Sequence, residues 1–297
     1  MVQKNSLTKP VCISGPTASG KSDLALALAE KYEVPIISAD SMQIYKGMDI
    51  GTAKPSASDR RKVRHFMIDI IEPDRPFNAF MFVKETERIL SETGAAIVAG
   101  GTGLYFESLL YGLDYPTGTG NEAFRQSLWD YTEKNGQDAL YAMLVEQNPE
   151  KTKKIHPNNI KGVIRALEIL QTDTPAVKGR VKKHDYPLFA LNVERPLLYE
   201  RINKRVDAMI EKGLVSEAEI LKKKYGDASQ AFQAIGYKEI FDYLEGKTEI
   251  GQAVDLIKQH TRNYAKRQIT FLKRLNPIWL DASKNIEELI TEIENYI

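Results

Sequence analysis

The chain contains 297 residues, of which 42% are hydrophobic and 27% charged, so it can build a sizeable core and is not a disordered protein. Its 41 basic and 40 acidic residues give a net charge of +1, which leaves any affinity for nucleic acid to local clusters of charge. The single cysteine Cys12, the absence of an apolar run of about 18 residues, and an N-terminus without a secretory signal predict a cytoplasmic protein outside the membrane.

Short apolar runs alternate with helical segments along the first hundred residues. The runs are residues 11–14, 34–38, 66–70 and 96–99. Strands that alternate with helices predict an α/β fold with a parallel sheet covered by helices on both faces.

The alternation stops after Gly112. Residues 114–120 are rich in Gly, Pro and Thr, residues 121–170 have a helical pattern, and a second loop at 172–187 leads to a strand at 189–193. The pattern predicts an all-helical domain, 116–188, inserted into a core formed by 1–115 and 189–297. The remaining chain is helical, with a strand at 278–280 before the last helix.

A phosphate-binding loop is predicted between the first strand and the first helix. The matching residues are Gly15, Pro16, Thr17, Ala18, Ser19, Gly20, Lys21 and Ser22. In such a loop the backbone amides and the lysine bind phosphate oxygens, and the hydroxyl after the lysine ligates Mg²⁺. The alternative is a glycine-rich turn that binds nothing. The motif does not distinguish ATP, GTP and an organic diphosphate.

Two further motifs follow the second and fourth predicted strands. Asp40 comes just after the second strand, and Thr102 lies within a glycine-rich run, 99–105, after the fourth. In an open parallel sheet this edge faces the ligand, so both residues are candidates for the site. The alternatives are a helix cap or turn for Asp40 and a packing turn for the glycines.

Basic residues form three clusters that contain no acidic residue. Residues 258–274 carry Lys258, Arg262, Lys266, Arg267, Lys273 and Arg274, with Tyr264 and Phe271 between them. The second cluster is Lys151, Lys153, Lys154, Lys161 and Arg165, and the third is Lys178, Arg180, Lys182 and Lys183. Such clusters predict an RNA-binding surface, and each alone is also compatible with a solvated face.

Taken in order, these motifs resemble tRNA dimethylallyltransferases. The resemblance rests on residues 15–22, 40–55, 100–105, 156–158, 165–168, 234–239 and 266–270. It covers nearly the whole chain. It implies transfer of a dimethylallyl group from dimethylallyl diphosphate to N6 of the adenine 3′ to the anticodon of a tRNA, by a monomer that uses Mg²⁺.

The resemblance also assigns roles to individual residues. Asp40 would act as the general base, Thr102 would orient the reacting groups, and Lys21 and Arg205 would stabilise the diphosphate. The implied contacts with the tRNA anticodon stem-loop are Asp40, Ser41, Met42, Gln43, Thr102, Arg125, Lys161, Arg165, Gln233, Lys238, Lys266, Arg267 and Lys273.

The chain departs from the family pattern at three positions. Asn159 and Gly162 stand where many members have Asp and Arg, and Phe271 replaces a common tryptophan.

Three other functions use the same phosphate site. The first is an isopentenyltransferase that acts on free adenine nucleotide, and the helical insertion and the basic C-terminal segment argue against it. The second is a P-loop kinase, which would need a pocket for a donor nucleotide. The third is an ATP-dependent RNA-binding switch, which would leave its RNA unmodified.

Overall fold

The computed structural model describes residues 7–112, 122–171, 181–226 and 229–297. These residues form a six-stranded parallel sheet in the order β3-β2-β4-β1-β5-β6. The strands are β1 (Val11–Ser14), β2 (Ile36–Ser38), β3 (His65–Phe66), β4 (Ile97–Gly100), β5 (Leu188–Asn192) and β6 (Ile278–Asp281). The predicted α/β class with a parallel sheet is therefore confirmed.

The sheet lies in the core of the protein. Val11, Cys12 and Ile13 of the central strand are fully buried, as expected for a parallel strand covered on both faces. The pKa of Cys12 is raised to about 12 by burial, which leaves the thiol protonated and supports a packing role.

Helices surround the sheet in the first of two compact units, residues 1–112 with 182–297. They are α1 (Lys21–Tyr32), α2 (Ala57–Lys62), α3 (Ala79–Thr93), α4 (Gly103–Tyr111), α9 (Arg195–Glu211), α10 (Leu214–Tyr225), α11 (Tyr237–Leu244), α12 (Ile250–Lys273) and α13 (Ile286–Glu294), with a 3₁₀ turn at Gln230–Gln233. Within the described part of the chain, no helix combines the length and apolar character needed to cross a bilayer.

The second unit comprises residues 113–181, and its described elements are all helical. They are α5 (Glu122–Asn135), α6 (Gln137–Gln147), α7 (Pro149–Thr152) and α8 (Ile160–Leu170). Leu128, Leu140, Leu144, Val163 and Leu167 form their buried core. The predicted loop at 114–120 and the part of the second loop at 172–180 lie outside the described residues.

The chain returns to the first unit earlier than the predicted boundary at 188. Lys183 and His184 donate backbone N–H groups to the carbonyl of Leu110, at 2.7 and 3.2 Å. The Pro187 carbonyl accepts from the N–H of Cys12 at 2.9 Å. Residues 182–187 therefore add to the sheet unit.

The third strand is shorter than the predicted run at 66–70. Met67 and Asp69 adopt positive φ angles of 63° and 55°, so the chain leaves the sheet after Phe66. The Asp69 carboxylate instead pairs with Lys54 at 2.5 Å and with Arg60 at 2.7 Å. These ion pairs hold a turn that the apolar pattern does not indicate.

Candidate active site

Three motifs meet at the carboxyl edge of the sheet. β4 lies between β1 and β2, with Ser14 opposite Gly100 and Ser38 opposite Ala99. The loops that follow these strands carry the phosphate-binding motif, Asp40 and Thr102. The sheet order thus brings together motifs that are far apart in the sequence.

The phosphate-binding loop has the backbone that its glycines permit. Gly15 and Gly20 have φ angles of 150° and 91°, and α1 begins immediately after Gly20. A Cβ on Gly15 would lie 2.8 Å from the Ser19 hydroxyl oxygen, so a side chain there is excluded. Among the described residues the buried Ser19 hydroxyl has no hydrogen-bond partner. A bound phosphate oxygen would satisfy it.

A cavity of about 640 Å³ opens beside this loop. It is lined by residues 18–24 and by several cationic side chains, namely Lys21, Lys54, Arg201, Arg205 and Lys284. The cations favour an anionic ligand. Arg201 was not predicted from the sequence, although it lies four residues before Arg205, a spacing that puts both on one face of α9. Lys284 follows β6, and no motif marks it.

Lys21 and Arg205 lie close enough to affect one another. Burial lowers the pKa of Lys21 to about 8, Arg205 acts in the same direction, and Asp40 opposes the shift. Burial also lowers the pKa of Arg205, whereas Asp40 and Asp23 favour its charged form. Lys21 Nζ donates to the Pro16 carbonyl at 3.2 Å, so the ammonium rests against the loop that would hold phosphate.

Diphosphate binding is expected to weaken as the pH rises above about 8, the pKa of Lys21. Below this pH Lys21 is already protonated, whereas above it the neutral amine must gain a proton before it pairs with the anion. The dissociation constant of methyl diphosphate should then rise by up to about tenfold per pH unit. Calorimetric titrations across this range measure the effect. Lys21→Arg keeps its charge and should lose the pH step; an equal step in both proteins would contradict the assignment.

Ser41, the residue after Asp40, links Asp40 to Thr102. The Thr102 hydroxyl accepts the backbone N–H of Ser41 at 3.0 Å and donates to the Ser41 hydroxyl at 3.3 Å. The Asp40 carboxylate accepts the N–H of Met42 at 2.9 Å. A Cβ on Gly100 would lie 2.2 Å from the Ala39 carbonyl oxygen, so the two loops approach closely only with glycine there. The four predicted catalytic residues thus share one neighbourhood.

The loop after Asp40 is braced by its own side chains. The Gln43 amide donates to the carbonyls of Thr52 and Ala53 at 3.2 and 3.3 Å and accepts from the Ser38 hydroxyl at 2.9 Å. The Gln43 side chain, a predicted tRNA contact, therefore already makes hydrogen bonds that hold this loop. Lys54 is 2% exposed and pairs with Asp49 and Asp69, at 2.7 and 2.5 Å.

Glu217 of α10 anchors the same loop. Its carboxylate accepts the backbone N–H groups of Asp49, Ile50 and Gly51 at 2.8–3.0 Å and the Tyr237 hydroxyl at 2.7 Å. Three consecutive amides on one carboxylate form an anion-binding turn. Glu217 was not predicted from the sequence, because an acidic residue in the first turn of a helix is common and indicates no distant partner.

Glu217→Gln should lower the free energy of unfolding by about 1–3 kcal/mol, because hydrogen bonds to a charged acceptor are the strong ones. Urea unfolding measures the change. Glu219→Gln, on the exposed side of the same helix, is the matched control and should leave stability close to the parent's. Equal stability of the two variants would mean that the carboxylate does not brace the loop.

Only some of the cations of the basic helix α12 are exposed to solvent. Lys258 pairs with Asp207 at 2.6 Å, and Arg262 donates to Asn203 at 2.7 Å, both across to α9. These two cations therefore stabilise a helix pair, which corrects the prediction of an RNA-binding surface along all of 258–274. The exposed cations of the segment are Lys266, Arg267, Lys273 and Arg274. Lys266 lies 6.0 Å from the Tyr199 ring centre.

In the helical unit, Arg125 and Arg165 share one carboxylate. Glu168, 4% exposed, pairs with Arg125 at 2.9 Å and with Arg165 at 2.5 Å. Both guanidinium side chains remain more than one third exposed, at 37% and 36%. Their predicted tRNA contacts would come from cations already oriented by a buried acid.

The remaining predicted RNA contacts have simple surroundings. Lys161, Gln233 and Lys238 are exposed. Asn159 caps α8 by accepting the Gly162 N–H at 3.1 Å, and a Cβ on Gly162 would lie 2.5 Å from the Asn159 amide nitrogen. Lys178 and Arg180 of the third basic cluster lie outside the described residues, and Lys182 and Lys183 pair with Asp185 and Glu87.

The donor atoms near the phosphate loop suit magnesium that arrives with a diphosphate. Ser22 and Asp23, which carry a hydroxyl and a carboxylate, are among the residues that line the cavity. Across the ranges that the structure describes, no group of three or more His, Cys, Asp or Glu side chains is placed to hold a metal ion. Mg²⁺ commonly binds one or two protein oxygens together with substrate phosphates and waters, so this small donor set fits.

A parallel sheet, a glycine-rich loop between β1 and α1 and a cation-lined cavity define an α/β protein with a candidate site for an anionic ligand. Comparison with known proteins narrows the class. The model of the IPP transferase family matches residues 43–275, and the chain belongs to that family. The resemblance in the sequence is thereby confirmed.

Curated relatives match over nearly the full length. The chain is 43% identical to the tRNA dimethylallyltransferase of an Exiguobacterium species, over 95% of this chain and 93% of the relative. It is 40% identical to the enzyme of the same name from Acetivibrio thermocellus, over 96% of each.

Solved structures agree. The full-length tRNA isopentenylpyrophosphate transferase of Bacillus halodurans superposes with a TM-score of 0.73 at 37% identity, covering 98% of this chain and 95% of that one. A eukaryotic dimethylallyltransferase described as acting on tRNA gives 0.76 at 26% identity, covering 92% and 74%.

Proposed function

We propose that the chain transfers a dimethylallyl group from dimethylallyl diphosphate to N6 of the adenine 3′ to the anticodon of a tRNA, and releases diphosphate. One observation carries the proposal: the Asp40 carboxylate lies close enough to Lys21 and Arg205, two cations of the cavity lining, to affect the pKa of both. An anionic donor and an acceptor that must lose a proton need these two environments side by side. The names of the relatives, which specify tRNA and dimethylallyl transfer, favour these substrates over others.

The donor half of the reaction is the loss of diphosphate. The N6 lone pair attacks the allylic carbon, and the bond from that carbon to the diphosphate oxygen breaks with both electrons leaving on oxygen. Negative charge then grows on the leaving group. Lys21, Arg205 and the loop amides stabilise this charge most strongly in the transition state, which is where stabilisation raises the rate.

The acceptor half is the loss of one N6 proton. The adenine amino group is a poor nucleophile, because its lone pair is delocalised into the ring. Asp40 would accept the proton as the new C–N bond forms, and the Thr102 hydroxyl would hold the reacting groups in line. Extruding the base from the anticodon loop costs a few kcal/mol, least where the loop is already partly single-stranded.

Mg²⁺ would be held by Ser22 together with diphosphate oxygens, and when bound it would neutralise charge on the leaving group. The protein would work as a monomer in the cytoplasm. These assignments, like the individual tRNA contacts, are predictions.

The decisive experiment uses labelled dimethylallyl diphosphate, Mg²⁺ and an unmodified tRNA with adenine 3′ to the anticodon. Label recovered on N6 of that adenosine after digestion is the expected result. Parallel reactions with free AMP as acceptor and with γ-labelled ATP as donor separate the alternatives. Label on AMP but not on tRNA would indicate a nucleotide isopentenyltransferase, phosphate transfer would indicate a kinase, and an RNA of unchanged mass would indicate a binding protein.

Neutralising Lys266, Arg267 or Lys273 should weaken binding to tRNAs of any sequence and flatten its salt dependence. Each lost phosphate contact on a single strand lowers the log–log slope by up to about 0.7. Salt titrations of binding by each alanine variant measure the slope. Lys258→Ala is the matched control on the same helix, because Lys258 already pairs with Asp207. Parental slopes for all three variants would mean that these cations are merely solvated.

A further inference from the structure

Gln268 is a buried amide on the otherwise basic helix α12. Its side chain is 6% exposed, and both ends of the amide are engaged. The oxygen accepts the backbone N–H of Thr17 at 2.8 Å, and the nitrogen donates to the carbonyl of Gly101 at 2.9 Å. A buried polar group is retained without cost only when it is satisfied in this way.

The two partners of Gln268 belong to opposite halves of the proposed reaction. Thr17 lies in the phosphate-binding loop, which would hold the donor. Gly101 immediately precedes Thr102, whose hydroxyl accepts the N–H of Ser41, the residue after the proposed base Asp40. One amide therefore spans the gap between the loop after β1 and the loop after β4.

The helix is seated on these loops at a second place as well. A Cβ on Gly103 would lie 2.4 Å from the Phe271 ring, and a Cβ on Gly101 would lie 2.3 Å from the Gln268 amide nitrogen. Gln268 and Phe271 are three residues apart and so share one helix face. Both glycines are needed for α12 to approach this closely.

We propose that Gln268 is a positioning residue that sets the distance between the phosphate-binding loop and the loop that carries Thr102. This inference rests on the proposed function. Bond formation between two bound substrates depends on the separation of the reacting atoms, and a displacement of about 1 Å can cost on the order of 10²-fold in rate. Gln268 touches neither substrate in this role. It acts by holding the two loops that do.

The test is single-turnover transfer at saturating dimethylallyl diphosphate and tRNA, with rate constant and amplitude measured separately. Gln268→Met keeps the length of the side chain and removes both hydrogen bonds. Its rate constant should fall by about 10- to 100-fold with the amplitude and the tRNA dissociation constant near the parent's. Gln259→Met, exposed on the same helix, is the control and should react like the parent.

Two further variants reach the same bridge by other routes. Gln268→Glu keeps the oxygen that accepts the Thr17 N–H and loses the N–H that donates to the Gly101 carbonyl. Gly101→Ala leaves residue 268 as glutamine, but the added Cβ pushes its amide group out of position. Each is expected to lower the rate constant at full amplitude, and they carry the test if Gln268→Met does not fold.

The outcomes separate this role from the proposed function. A parental rate constant in the variants, or a loss of amplitude alone, would overturn the positioning role and leave the proposed function standing. A parent protein that transfers no label to tRNA would overturn both.

Discussion

Replacing Asp40 by asparagine should lower the rate of dimethylallyl transfer by on the order of 10²- to 10⁴-fold, the usual cost of losing a general base. Asparagine retains an oxygen that can accept the Met42 N–H, so the local turn persists. What it removes is the carboxylate that would accept the N6 proton. Single-turnover transfer at saturating substrates measures the chemical step, and filter binding measures tRNA affinity, which should stay close to the parent's.

Asp40→Ala removes the same carboxylate and also the hydrogen bond to Met42. Comparing the two variants separates the chemical from the structural contribution. If tRNA affinity collapses in both while the chemical step survives, Asp40 is a binding or structural residue and the general-base assignment is wrong.

Lys21→Ala should impair donor binding and turnover together. The ammonium lies in the cationic cavity, where it would pair with the diphosphate both before and during bond cleavage. Loss of one such preorganised donor costs on the order of 10²- to 10³-fold in rate. Calorimetric binding of dimethylallyl diphosphate and steady-state turnover are the two measurements. An unchanged affinity for the donor would refute the assignment.

Lys284→Ala controls for the overall positive charge of the same cavity. Lys284 already pairs with Glu292 at 2.8 Å, so its charge is partly neutralised. The variant should bind the donor much more tightly than Lys21→Ala does. Equal losses would mean that the cavity acts through its summed charge rather than through a specific contact.

The parts of the site that the sequence predicts are those carried by short, continuous motifs. The loop at 15–22 is recognisable because its spacing reflects a local mechanism, a turn that leads amides to the start of a helix. Asp40 and Thr102 are recognisable because each follows a predicted strand, and parallel strands end at a common edge. The catalytic role of each remains a prediction.

Long-range polar contacts were not predictable. Gln268 and Thr17 are 251 residues apart, and Glu217 meets Asp49 from 168 residues away. Their residue types alone fit an exposed helix as well as a buried one. The basic pattern of α12 was misleading for the same reason: the partners of Lys258 and Arg262 lie on another helix, and no local spacing encodes how two helices face each other.

The order of strands in the sheet has a consequence for the protein as it leaves the ribosome. β1, synthesised first, lies between β4 and β5, and β5 emerges only after the whole helical insertion has been made. The amide that ties the loop after β1 arrives later still, with Gln268. Until β5 is made, β1 therefore has only β4 of its two neighbours in the described sheet, and the loop after β1 lacks the Gln268 amide for longer still. Residues 113–181, in contrast, form a compact unit from one contiguous stretch of chain.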